Sequence, residues 1–247
     1  MRVALLRRSA PDPTHLDVTY DGRAFRIAVR RRAAARRITL RVSSATGEVV
    51  LTLPERADVG AAQRFADAHG GWIATRLARV PARVLFEPGA LVPFRGQPHR
   101  ILHWSMVPSA TVATRDADGA CVIAVACDPA HVARRVRDFL EREARRDLVA
   151  AVGHHARALG RAPRRITVRD TRTRWGSCSA KGLLNFSWRL ILAPSFVLDY
   201  LAAHEVAHLK EMNHSERFWR VVHDLCARTP EAERWLKRHG ADLHRYG

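Results

Sequence analysis

The sequence is poor in cysteine, in lysine and in long apolar runs, and each shortage excludes something. Its four cysteines, Cys121, Cys127, Cys178 and Cys226, show no Cys-x-x-Cys spacing. That excludes a zinc ribbon and a thioredoxin-type redox motif, and it makes reduced thiols in a cytosolic protein the default. No window approaches about 18 uncharged apolar residues, so no membrane span is expected. The apolar run Val3 to Leu6 is too short for a signal-peptide core and runs straight into Arg7 and Arg8. A cytoplasmic protein is the expectation. Internal repeats and low-complexity linkers are absent as well.

Only Lys181, Lys210 and Lys237 are lysines among 42 basic residues, so the formal charge of +18 and pI near 11.4 rest on arginine. Such a charge suits non-specific association with nucleic acid. Arginine alongside abundant alanine and valine also follows from codon choice in a GC-rich genome, which weakens the inference. The densest basic run, RRRAAARR at 30–37, lacks interleaved aromatics. It reads as a solvated strand end or connection ahead of a phosphate-binding patch.

With 47% hydrophobic residues over 247 positions, the chain can bury one large core or two small ones. Alternating runs over 16–53, broken at Asp21-Gly22 and Thr46-Gly47, predict an antiparallel sheet with hairpin turns. Asp58 predicts the cap of a helix reaching about Val80, with Phe65, Trp72, Ile73 and Leu77 on its packed side. Strand signals resume over 90–125, around turns at Arg95-Gly96 and Asp118-Gly119. Asp128-Pro129 opens a long helix that Gly160 ends. Strands are expected at 166–170 and 183–192, then helices at 215–227 and 230–239. The fold class is therefore α+β, with a β-rich N-terminal accessory region over 1–128 and a catalytic domain over 129–247. His69, His99, His103 and the adjacent pair His154-His155 have no partner at ligand spacing and are read as packing or surface residues.

The chemistry is concentrated in FVLDYLAAHEVAHLKEMNHSERFW at 196–219. Almost every residue over 196–209 is apolar, as in a helix buried on most sides. At about 100° per residue, His204, Glu205 and His208 share one small patch while Asp199 points to the opposite side. In His204-Glu205-x-x-His208, the HExxH pattern, residues four apart stack on one face. Two imidazole nitrogens can then converge on one ion at about 2.0–2.1 Å. Glu205 lies beside that ion, placed as the general base of metal-assisted peptide hydrolysis.

On a continued helix His214 would sit roughly 120° from His208, so it joins them only if the helix stops. Asn213 supplies the stop: it tolerates the left-handed conformation and can cap a new helix with Glu216 at the third position. Three imidazoles would leave zinc a fourth position for water, the catalytic arrangement. Glu216 and His223 remain rival third ligands ranked behind His214. A metzincin would carry glycine where this chain has Glu211, and no Met-turn follows, so a metzincin is not expected.

The segments Arg174-Trp175-Gly176-Ser177-Cys178, Asn185-Phe186-Ser187-Trp188-Arg189-Leu190, Ala193-Pro194, Asp199-Tyr200, the HExxH pattern, Asn213-His214-Ser215 and Phe218-Trp219 together resemble the YgjP-like metal-dependent hydrolases. These are predicted zinc metallopeptidases related to the SprT-like proteases. The resemblance is dense over 172–219 and looser elsewhere. It implies a minimal zincin fold, Zn2+ on His204, His208 and His214, and a catalytic Glu205.

Over 183–192, Asn185, Ser187 and Arg189 alternate with Phe186, Trp188 and Leu190, as in a strand with one buried face. As an edge beside the zinc it could take a substrate chain as an added strand. Arg174, Trp175, Asn185 and Ser187 are the expected substrate-binding residues, and Arg172 or Arg174 could reach an oxyanion or a substrate carboxylate. Cys178 has no partner base and reads as a packed thiol. The expected function is zinc-dependent hydrolysis of peptide bonds in a peptide or protein substrate. The alternatives are a nucleic-acid-associated module that directs proteolysis to DNA-bound proteins, and a zinc hydrolase of non-peptide amides.

Overall fold

Asp21 and Gly22 both take positive φ, 49° and 70°, the geometry of a two-residue hairpin turn. They join β1 (His15–Tyr20) to β2 (Arg23–Arg32). The computed structural model describes residues 13–43, 46–80, 82–104, 110–171 and 173–247, and the chain divides into two units, Met1–Pro81 and Ala82–Gly247.

In the first unit, β3 (Thr39–Val42) and β4 (Val49–Pro54) complete a sheet of order β1-β2-β4-β3. The sheet is mixed instead of antiparallel throughout, because the chain leaves β2 for the outer strand β3 and returns through β4, parallel to β2. Alternate residues Leu16, Val18, Ile27, Leu51 and Leu53 are buried in one cluster with Ala62, Ala66 and Ile73 from two helices, the half-buried pattern expected of a sheet covered on one face.

Those helices are α1 (Val59–Ala68), capped by Asp58 through the Ala61 amide at 2.8 Å, and α2 (Gly70–Ala78). The single helix expected as far as Val80 is broken at His69, whose backbone leaves helical geometry. Gly70 and Gly71 follow at once and lie against the Tyr20 ring. The break turns Trp72 outward, 40% exposed, with the Arg76 guanidinium over its ring.

The second unit opens with β5 (Leu91–Phe94), β6 (Gln97–Trp104), β7 (Thr111–Arg115) and β8 (Cys121–Ala126), in the order β5-β6-β8-β7. A single-turn 3-10 helix capped by Asp128 then leads into α3 (Val132–Leu159). The boundary expected at residue 128 falls inside this unit. Val92, Phe94, Ile101, Ile123 and Val125 of the sheet share one core with Val136, Phe139, Leu140 and Leu148 of α3. A change from strand to helix was legible at Asp128, but the hydrophobic core runs across it.

A three-stranded sheet follows, of order β10-β11-β9, made from β9 (Arg165–Arg169), β10 (Gly176–Cys178) and β11 (Leu183–Ser187). The strand expected over 183–192 stops at Ser187. Trp188–Leu192 is a 3-10 helix with all five residues buried, and the Ser187 hydroxyl accepts from the Arg189 amide at 3.4 Å. β11 is the central strand, paired with β10 and β9, and β10 and β9 are the edges. Helices α4 (Ser195–Ala207), α5 (Glu216–Leu225) and α6 (Thr229–His239) complete the unit, with a 3-10 segment over Gly240–Arg245.

Arg189 ties these parts together from a buried position. Its guanidinium donates to Asp170 at 2.8 and 3.2 Å, to the Leu243 carbonyl at 3.2 Å and to the Tyr246 carbonyl at 2.6 Å. Arg189→Met keeps the stem but leaves a carboxylate and two carbonyls without this donor. It is expected to destabilise the second unit by about 3 kcal/mol in urea unfolding. A loss below about 1 kcal/mol, the scale of an exposed ion pair, would contradict this assignment.

Candidate metal centre

α4 is buried almost all round: Val197, Leu198, Leu201, Ala202, Ala203, Val206 and Ala207 are all in the core. Asp199, on the side away from the histidines, accepts from His155 Nε2 of α3 at 2.8 Å. Packing on this scale fixes the helix and with it the directions of His204 and Glu205.

The helix ends at His208, its C-terminal cap. Amides of Leu209, Lys210 and Glu211 fold back onto Val206 and Ala207 carbonyls, which closes a turn that returns the chain toward the first two imidazoles. The next helix is capped by Ser215, whose hydroxyl accepts from the Phe218 amide at 3.5 Å. Asn213, expected in that role, lies in the bend ahead of it. The turn brings His214 back beside the first two imidazoles. Its Nε2 lies 3.2 Å from Nε2 of His204, and one ring nitrogen from each of His204, His208 and His214 falls within 4.8 Å of the others. Among the described residues, neither Glu216 nor His223 joins this group.

α5 provides an aromatic wall behind the imidazoles. Phe218, fully buried, stacks on His208 with ring centres 4.4 Å apart and meets His204 and His214 edge-on. Trp219 lies 5.8 Å from His204 and 6.0 Å from His214. Burial, helped by the neighbouring imidazoles, lowers His204 to about 4. Burial also lowers His208, against the opposing effect of its hydrogen bond to the Glu211 carbonyl. Both rings are therefore neutral near pH 7, the form that ligates metals.

Glu205 is 4% exposed. Burial pushes its carboxyl up to about 8, although the Arg174 guanidinium pulls the other way. One carboxylate oxygen, Oε2, is buried without a hydrogen-bond partner among the described residues. A buried carboxylate left so poor in partners is costly unless a cation or water completes its surroundings. Three converging imidazoles, one of them on the residue before this glutamate, fit a divalent metal. The 3.2 Å separation of two Nε2 atoms is close to the roughly 3.3 Å tetrahedral edge of nitrogens bound at about 2.0–2.1 Å.

Gly176, first residue of the edge strand, lies directly over Glu205. A β-carbon there would fall 2.8 Å from both Cγ and Cδ of Glu205 and closer still to Oε1. Composition and spacing carried no sign of this contact, because it joins residues 29 positions apart through tertiary packing alone.

The expected substrate-binding residues fare differently. Arg174 is exposed beside the edge strand. Trp175 is half-buried and stacked on His244 at 4.8 Å, against Gly240. Asn185 is half-buried on the central strand opposite Ser177. Ser187 is fully buried and occupied in capping, which takes it out of reach of a substrate. Arg172 lies outside the described residues. Burial, with the Glu205 charge nearby, pushes the Cys178 thiol up to about 11, as suits a packed thiol.

The mixed α+β unit thus gathers three imidazoles and a buried glutamate on one helical corner, an arrangement that fits a metal-dependent peptidase. The family model described as "YgjP-like, metallopeptidase domain" matches residues 36–239, and the chain belongs to that family. Among solved structures, the chain is similar to one described as the crystal structure of the metallopeptidase zymogen of Pyrococcus abyssi abylysin. The identity is 23%, over 37% of this chain and 93% of that one, with a TM-score of 0.34. No curated protein matches. Among the described residues, no helix is long and apolar enough to cross a membrane.

Proposed function

We propose that the protein is a zinc-dependent peptidase of the minimal zincin type, with His204, His208 and His214 as metal ligands and Glu205 as general base. The observation that carries this reading is the convergence of three ring nitrogens within 4.8 Å, together with the buried, unpartnered Oε2 of Glu205, the residue after His204. When bound, the ion supplies Lewis-acid chemistry, polarising the scissile carbonyl and acidifying a water. Glu205 takes the proton from the attacking water and returns it to the leaving amine.

The chain's own geometry supports a place for the substrate. β10 is an edge with one side paired to β11, and its first residue adjoins Glu205. A peptide added along the free side would be held through its backbone, which selects chain conformation more than side chains. Arg174 is placed to meet negative charge there. The four cysteines, none of them paired, support action in a reducing, cytoplasmic compartment.

The test is metal analysis of the purified protein combined with mass-spectrometric profiling of peptide cleavage. One bound zinc per chain, with cleavage that chelation abolishes and zinc restores, is the expected result. Stoichiometric zinc with cleavage of non-peptide amides alone would reassign the substrate. A protein that takes up no metal would end the reading.

One observation favours a second activity alongside the first. On β2 and β3, the residues that alternate with the buried ones include Arg26, Arg30, Arg32 and Arg41, all exposed. They are interleaved with Ala28, Thr39, Val50 and Thr52 at paired register positions. Short side chains between arginines let a phosphate backbone approach closely. Arg31, in the same basic run, turns inward and donates to the Pro54, Glu55 and Ala57 carbonyls, so the run is divided between structure and surface. Binding to duplex DNA should then weaken steeply with salt. Replacing Arg26, Arg32 and Arg41 by alanine should flatten the log–log slope by about 3, near 0.9 per lost phosphate contact. An unchanged slope would remove this face from consideration, and preferential binding to anionic vesicles would point to a lipid surface instead.

A further inference from the structure

Each of the proposed ligands needs one ring nitrogen bare toward the metal and the other protonated, and the partner of the second nitrogen decides which is which. His208 Nδ1 lies 3.1 Å from the Glu211 carbonyl, an acceptor only, so Nδ1 carries the proton and Nε2 is bare. His204 has no carbonyl in that place. Its Nδ1 lies 3.4 Å from the hydroxyl of Tyr200, one helical turn earlier, and a hydroxyl can donate as well as accept.

The ambiguity is removed by α6. The Tyr200 hydroxyl donates to Oε1 of Glu233 at 3.1 Å. With the phenol proton given to Glu233, a lone pair is presented to His204. Nδ1 of His204 must then be the donor, and Nε2 is left bare, facing Nε2 of His214 at 3.2 Å. Tyr200 is 5% exposed. Glu233 makes no ion pair among the described residues. α6 is anchored near it by Arg228, which pairs with Glu231 and lies over the Phe196 ring of α4 at 3.8 Å.

We propose that Glu233 and Tyr200 are positioning residues that act in series, fixing the tautomer and ring direction of His204 so that its Nε2 is presented to the metal. The proposal rests on the reading that His204 is a ligand. It places part of the metal site's specification on a helix outside the ligand-bearing segment.

Two measurements test it. In metal-free protein near neutral pH, long-range proton–nitrogen spectra of the imidazoles should show His204 with the proton on Nδ1. In Tyr200→Phe that preference should be lost, with protonated Nε2 appearing. In chelator competition with zinc alone, Tyr200→Phe should bind about 10- to 100-fold more weakly than wild type. Glu233→Ala, on an exposed residue that folding tolerates, should weaken binding in the same direction. The double variant should be no worse than Tyr200→Phe alone, as expected of groups in series. An unchanged His204 tautomer together with wild-type zinc affinity in Tyr200→Phe and Glu233→Ala would overturn the proposal while leaving the triad intact. Wild-type zinc affinity in His204→Ala would instead sink the reading on which it stands.

Discussion

Glu205→Gln is expected to hold zinc as the wild type does and to lose about 10²- to 10⁴-fold in kcat/KM on any peptide the wild type cleaves, the usual contribution of a positioned general base. Glutamine matches the shape that the space under Gly176 requires, so the close approach of the edge strand is not disturbed. It has no site basic enough to take a proton from water. Zinc retention follows because the three converging nitrogens belong to His204, His208 and His214, and Glu205 is not among them. His204→Ala separates the two roles from the other side, since removing a ligand should cost both metal and turnover. Isothermal titration with zinc and steady-state kinetics on one peptide suffice to check both variants. Undiminished turnover by Glu205→Gln would refute the general-base assignment, and loss of zinc in that variant would move Glu205 into the ligand set.

The clustering of the three histidines was legible because it depends on local geometry. Residues four apart on a helix stack whatever the tertiary fold, so His204 and His208 could be paired without knowing what surrounds them. The bend before His214 was legible for a similar reason, though the cap itself was misplaced. Asn213 and Ser215 are both competent N-caps, and position alone did not decide between them; the structure uses Ser215. Elements that depend on distant packing were read less well. Apolar alternation predicted a strand through Leu192, yet the chain turns into a 3-10 helix after Ser187 whose five residues, Arg189 included, are all buried. The edge position considered for this strand fails separately, because β11 is paired on both sides. The partners of Arg189, up to 57 positions away along the chain, left no local trace. Neither did the contact of Glu233 with Tyr200.

Gly176→Ala should leave zinc affinity within a few-fold of wild type and lower kcat by about 100-fold, the scale of a displacement near 1 Å in a reacting group. The added β-carbon would lie 2.8 Å from Cγ and Cδ of Glu205, closer than such contacts allow, so one of the two must move. The strand is poorly placed to yield. Gly176 is paired in register with Phe186, which is fully buried on the central strand, and the adjoining Trp175 is held against His244 and Gly240. The Glu205 side chain has freer torsions, and swinging it aside displaces its carboxylate without moving His204, His208 or His214. A shift of the strand would raise KM, whereas a shift of the carboxylate lowers kcat, so the kinetic split identifies which gives way. Gly153→Ala serves as a control. Its β-carbon would meet only Arg157 Nη1, at 3.9 Å on α3, and its kcat should match wild type. Wild-type kcat in Gly176→Ala would mean that Glu205 has room to spare, and that the edge strand does not set where its proton-accepting oxygen lies.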